Sequence, residues 1–164
     1  MGGIDPIALA RAKWAEYGWE DAADGMAAVT SVMRAQQVYQ ARVDDVLKPF
    51  QLTFARYELL MLLHFSSRGS MPVKKASERL QVHPTSITNA VDRLEAAGLV
   101  ERQPHPTDGR SSLIKATDEG RRLALKATAA LNAEVFGRPG LTPKQVGTLV
   151  QVLEALRRDA GDLG

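Results

Sequence analysis

The 164-residue sequence predicts a mainly α-helical chain with one small β-hairpin near its middle. Three observations lead there. Apolar residues recur at three- and four-residue spacing over most of the length, as in amphipathic helices. Only the stretch 99–116 reads as strand, in two short segments around a tip rich in Pro, Asp and Gly. Immediately before it, two short helical segments are separated by the three residues Gln81-Val82-His83.

In chain order, the spacing predicts a short helix over 7–19, broken at Gly18, with Trp14, Tyr17 and Trp19 at its end. A long helix follows from about Asp21 to Leu47. It carries Met26, Val29, Met33, Val38, Val43, Val46 and Leu47 in one broad apolar stripe, and Pro49 stops it. Thr53 is placed to cap the next helix, where Phe54, Tyr57, Leu60, Met61 and Phe65 recur at helical spacing. Arg68-Gly69-Ser70 breaks the chain. The two short helices are then Val73–Leu80 and 84–97, and Glu101 to His105 can pair with Ser111 to Lys115 around the Asp108-Gly109 turn. Thr117 caps a helix running toward Phe136, and Gly137-Arg138-Pro139-Gly140 ends it. Thr142-Pro143-Lys144-Gln145 combines a cap, a first-turn proline and a glutamine three residues on, the pattern of a capping box. The last helix holds Val146, Leu149, Val150, Leu153 and Leu156 on one side.

Composition narrows the function. The apolar fraction of 45% is that of a globular protein. No apolar run approaches the roughly 18 residues a membrane span requires, and the first residues lack a secretory pattern, so a soluble, cytoplasmic protein without membrane partners is expected. With no cysteine there is no disulfide, thiol nucleophile or thiol sensor. His64, His83 and His105 are scattered without metal-ligand spacing, and no HExxH, Walker loop or G-x-S-x-G occurs. No catalytic residue, metal or cofactor is therefore expected. Net charge is only +2, but residues 68–126 hold eleven Lys or Arg against seven Asp or Glu, leaving ten against twelve elsewhere. A basic middle between mildly acidic ends fits a polyanion-binding module on a non-binding scaffold.

The second short helix carries the chemistry. Ile87, Ala90, Val91 and Leu94 form a core-facing stripe. At about 100° per residue, the other side shows Thr85, Asn89 and Asp92, flanked by Ser86, Thr88 and Arg93. Short side chains let a helix enter the major groove closely. Asn can pair with adenine N6 and N7, Arg with guanine O6 and N7, and a Thr methyl can meet the thymine methyl. The helix start offers backbone N–H groups to phosphates, and Pro84 suits its first position. Asp92 and Glu95 mark the limit of the reading face, because phosphates would repel them. An isolated helix of this composition would simply face solvent. The preceding helix, the tight connector and the basic hairpin favour duplex DNA.

In the hairpin, Arg110 stands just past the tip, two positions after Asp108. A carboxylate beside a guanidinium would aim it at a minor groove or at phosphates. The expected roles follow. Thr85, Ser86, Asn89 and Arg93 read or clamp the major groove, while Lys74, Lys75, Arg102 and Arg110 neutralise phosphates or enter the minor groove. Thr88, Asp108 and Ser111 complete the candidate surface.

Residues 79–100, with Asp108-Gly109-Arg110 and Ala116-Thr117-Asp118-Glu119-Gly120, resemble the winged helix-turn-helix of the MarR family of bacterial regulators. The resemblance extends from about Met26 to Leu156. It implies one domain over residues 1–164, with a winged helix-turn-helix at 53–117 and dimerisation helices at 5–48 and 118–160. It also implies an obligate, roughly triangular homodimer on a palindromic operator, commonly a repressor released by a small phenolic or other aromatic ligand. In the family a ligand cleft lies between the dimer helices and the winged module. Trp14, Trp19, Met33, Tyr57, Met61, His64 and Phe65 could line it, with Arg34, Arg42 and Arg56 as carboxylate partners. The same seven side chains also suit a dimer core, which is the favoured reading, and the arginines suit exposed helix faces. The rival function is a winged helix used for protein contact instead of sequence-specific DNA binding.

Overall fold

The computed structural model describes residues 3–163. The chain forms two compact units, one ending at Asp45 and the other beginning at Val46.

In the first unit, α1 (Pro6–Glu16) starts where the Asp5 carboxylate accepts from the Ile7 N–H at 3.0 Å. It stops earlier than its spacing predicts. Gly18, at φ +80°, turns the chain into α2 (Glu20–Leu47) and leaves Tyr17 and Trp19 outside the helix. Trp14 meets Trp19 edge-on at 5.4 Å, and Tyr17 stacks on Trp19 at 5.6 Å. Arg11 pairs with Asp24, joining α1 to α2. Of the expected stripe on α2, Val43 and Leu47 are buried, whereas Val29, Met33 and Val38 are exposed in the single chain.

The second unit contains α3 (Phe54–Phe65), β1 (Ser70–Pro72), α4 (Val73–Leu80), α5 (Pro84–Ala96), β2 (Val100–Pro104), β3 (Ser112–Ala116), α6 (Asp118–Leu131) and α7 (Pro143–Asp159). Thr53, Thr117 and Thr142 cap α3, α6 and α7, the last with its full capping box. Pro49 stands in a one-turn 3₁₀ segment, and a π turn over Asn132–Phe136 ends α6.

The sheet has three antiparallel strands in the order β1-β3-β2, one more than the hairpin expected. β1 is three residues long and ends in proline, so it carries no alternation of its own. Its pairing comes from β3, more than forty residues on, with Met71 opposite Ile114. Between β2 and β3, Val100 opposes Ala116 and Pro104 opposes Ser112.

Leu59, Leu60 and Leu63 of α3, Ile87, Val91 and Leu94 of α5, Ile114 of β3 and Leu131 of α6 are fully buried. Each such side chain contributes about 1.5–3 kcal/mol of transfer free energy. This apolar centre fixes the turn between α4 and α5. Gln81 takes the left-handed conformation at φ +53°, and the buried Ser77 hydroxyl donates to the Val82 carbonyl at 2.7 Å. The Gln81 side chain is also held. It accepts from Arg157 Nη2 at 2.7 Å and donates to the Asp162 carbonyl at 2.6 Å.

The exit of α5 and the entry of α6 meet at one carbonyl. Gly98, at φ +73°, donates to the Glu95 carbonyl while Leu99 N–H donates to the Leu94 carbonyl, closing α5 with a Schellman motif. Thr117 N–H then donates to the Leu99 carbonyl at 3.0 Å. Gly120 lies so close that a Cβ there would stand 2.1 Å from the same oxygen. Gly120→Ala is therefore expected to destabilise the fold by about 3 kcal/mol. Thermal unfolding checks this, and a melting temperature within a degree or two of wild type would contradict it.

Candidate nucleic-acid interface

The face of α5 is as its spacing predicts. Ile87, Ala90, Val91 and Leu94 are buried, and Thr85, Ser86, Thr88, Asn89, Asp92 and Arg93 are exposed. Its start holds a residue that sequence reasoning passed over. His83 is the cap, with Nδ1 accepting from the Thr85 N–H at 3.2 Å. Thr88 is partly engaged, since its hydroxyl donates to the Pro84 carbonyl at 3.0 Å. Thr88 retains its methyl group and the acceptor capacity of its oxygen for a partner.

A shallow cavity of about 410 Å³ brings Ser86, Asn89 and Arg93 of α5 together with Thr53 and Arg56 at the start of α3. Arg56 thus belongs beside the reading helix, a placement different from the carboxylate-partner role considered for it. Its Nε donates to Thr53 Oγ1 at 3.1 Å, which directs the guanidinium. Only the tertiary packing of α3 against α5 reveals this, because the two segments are about 30 residues apart.

At the wing, Asp108 works differently from the expectation. Its carboxylate accepts from the backbone N–H of Arg110 at 3.0 Å, not from the guanidinium, and so forms the turn instead of steering the side chain. His105 Nδ1 accepts from Thr107 N–H at 3.3 Å and Asp108 N–H at 3.1 Å, and Ser111 N–H donates to the Asp108 carbonyl at 3.1 Å. The loop backbone is thereby tied at several points, with Ser111 at its base. The exposed Arg110 side chain enters no ion pair among the described residues.

Arg102 is a second correction. It is not a free phosphate clamp, because its two terminal nitrogens bind the carboxylates of Asp92 and Glu95 on α5. Hydrogen bonding to Asp92 above all holds the guanidinium above its ordinary pKa; burial opposes it, and the charge and hydrogen bond of Glu95 add to the rise. The two acids taken as the limit of the reading face thus share one cation from within the protein, which offsets half of their charge. Lys74 and Lys75 are exposed on α4, where the expectation placed them.

The seven cleft candidates do not form one group within either unit. In the first, Trp14 packs on Trp19, and Met33 is 65% exposed. In the second, Tyr57 is core: it is 6% exposed and its hydroxyl bonds Thr128 Oγ1 at 2.9 Å, while the Thr128 hydroxyl also donates to Met61 Sδ at 3.3 Å. His64 lies 5.5 Å from Phe65, whose ring is 74% exposed. Arg34 donates to Gln37 at 3.1 Å, and the Arg42 guanidinium stands 5.9 Å from the centre of the Tyr39 ring.

Comparison with known proteins agrees with this geometry. The MarR family model matches residues 52–112, which span the start of α3 to the start of β3. Sco5413 from Streptomyces coelicolor, a MarR family transcriptional regulator, is 48% identical with a TM-score of 0.77, covering 85% of this chain and 97% of its own. Sco3205 from the same organism, a MarR family regulator solved in complex with DNA, is 26% identical with a TM-score of 0.70, covering 80% and 84% respectively. The HTH-type transcriptional regulator YhbI of Bacillus subtilis is 30% identical over 128 residues, 73% of this chain and 82% of its own. A helix-turn-helix with a three-stranded wing sheet, the family match across it and the near full-length similarity to Sco5413 make this chain a member of the MarR family of transcriptional regulators.

Proposed function

We propose that the protein binds a palindromic double-stranded operator as a homodimer and acts there as a repressor. The observation that carries this reading is the polar, exposed face of α5 beside a backbone-tied wing whose Arg110 side chain enters no ion pair among the described residues. Ser86, Thr85, Asn89 and Arg93 would meet base edges and Lys74, Lys75 and Arg110 the phosphates or minor groove, with Arg56 joining the major-groove side. The DNA-bound state of the relative Sco3205 supports a duplex as partner. Dimerisation is supported by α7, which has no buried residue and leaves Leu149, Val150, Val152 and Leu156 exposed. Residues 5–48 and 118–160 would supply that interface and 53–117 the reading module. The chain would work by binding and not by turnover. A small aromatic ligand would release it by preferring one separation of the two recognition helices, which requires unequal affinity for the two states.

Selection of bound fragments from genomic DNA by the purified protein tests the proposal. Enriched inverted repeats with half-sites about one helical turn apart are expected. Binding that ignores salt concentration would instead favour the protein-contact reading, because phosphate neutralisation is steeply salt-dependent.

Three substitutions separate the roles. Arg110→Ala should lower operator affinity at least tenfold in a gel-shift titration while light scattering still reports the dimer; unchanged affinity would remove Arg110 from the interface. Asn89→Ala should relax base preference with little loss on random duplex, and equal losses on both would refute a reading role. Arg102→Gln exposes two carboxylates beside the phosphates and should weaken binding roughly tenfold, with Asp92→Asn added to it restoring part of the loss. No recovery in the double variant would mean that Arg102 acts by some route other than neutralising Asp92.

A further inference from the structure

A cavity of about 820 Å³ opens within the second unit, bounded by the end of α3, the edge strand β1, α4 and the base of the wing. Its size lies within the range of small-molecule sites. Arg68, Lys75 and Arg79 line it, and no Asp or Glu does. None of the three cations enters an ion pair among the described residues. Lys75 and Arg79 are four apart on α4 and therefore neighbours on one side of it, an arrangement that is mildly repulsive without an anion between them. The remaining surface is apolar or neutral. Met71 is buried at its floor, Leu113 and Pro72 adjoin it, and the exposed Phe65 ring joins its lining.

Uncompensated positive charge beside an open aromatic face calls for one kind of occupant. We infer that this cavity binds a small organic polyanion carrying a flat ring, the chemistry of a nucleotide: its phosphates on Arg68, Lys75 and Arg79, and its ring against Phe65. Arginine forks match phosphate oxygens in pairs, and a π face accepts any flat ring. His105 adds a polar group at the wing side. Its Nδ1 accepts two backbone N–H groups, so Nε2 is the ring's donor.

The cavity also has a regulatory consequence. His105, Pro106 and Thr107 form one wall and lead directly into the loop that carries Arg110. An occupant that fits one position of this wall better than another shifts duplex affinity by its differential affinity for the two. This coupling rests on the DNA reading proposed above; the binding itself does not.

Calorimetric titration of the purified full chain with ATP, inorganic tripolyphosphate and adenosine tests the site. ATP should bind more tightly than tripolyphosphate, and adenosine should give no heat. Arg79→Gln should weaken ATP binding at least tenfold with an unchanged melting temperature. Phe65→Ala should reduce ATP to the tripolyphosphate level without affecting tripolyphosphate itself. No heat with either anion, or unaltered ATP binding by Arg79→Gln, overturns the site. A loss of duplex affinity in Arg79→Gln without ATP, at undiminished ATP heat, also overturns it and assigns the cations to the DNA backbone. Gel shifts with and without ATP read the coupling. ATP binding with unchanged duplex affinity retains the site and removes the coupling, whereas ATP binding by a protein that takes up no duplex sinks the DNA reading alone.

Discussion

Arg102 reaches from the second wing strand to two carboxylates on the reading helix, and the candidate surface depends on that contact. A helix approaching DNA with Asp92 and Glu95 on its exposed side would be repelled by the phosphates it must pass. With one guanidinium across both acids, their net charge is halved and strand and helix are joined laterally. Isolated surface ion pairs contribute little, but a shared guanidinium with two partners on one rigid element gains from geometry that a single pair lacks. Wing and helix then present their polar groups together, which a shared target requires.

The rest of the module supports this pairing at its two ends. At one end the Schellman turn at Gly98 brings the chain off α5 directly into β2. At the other, Thr117 returns β3 to the Leu99 carbonyl, and its hydroxyl donates to the Gly98 carbonyl at 2.8 Å. Helix exit, hairpin and next helix are thus closed into a loop of hydrogen bonds at one corner, and Gly120 supplies the room it needs. The hairpin extends from that corner as a lever whose far tip is the wing.

Most of this was legible in the sequence wherever a residue's role is local. The stripe Ile87, Ala90, Val91 and Leu94, the threonine caps and the Asp-Gly turn are each decided by neighbours within four positions, and each appears where the spacing predicts. What escaped was set by distant partners. β1 has no pattern of its own and exists because β3 pairs with it. Arg102 looked like a spare cation until the fold brought Asp92 and Glu95 within reach, and that Arg56, read as an exposed helix charge or a carboxylate partner, lies beside the reading helix is likewise set by packing. Asp108 shows a subtler limit. Its nearness to Arg110 was correctly read, but a short carboxylate reaches the backbone two residues ahead more easily than the end of a long side chain.

The turn between α4 and α5 is not free-standing. Gln81, held in a conformation that glycine usually occupies, is gripped by Arg157 and by the carbonyl of Asp162, and Arg157 in turn pairs with the Asp162 carboxylate at 2.5 Å. Residues 157–162 therefore act as a tether on the elbow of the reading module. Removing residues 157–162 would loosen a joint some 80 positions upstream in sequence. The end of α7 and the turn after it are thus a working part of the helix-turn-helix.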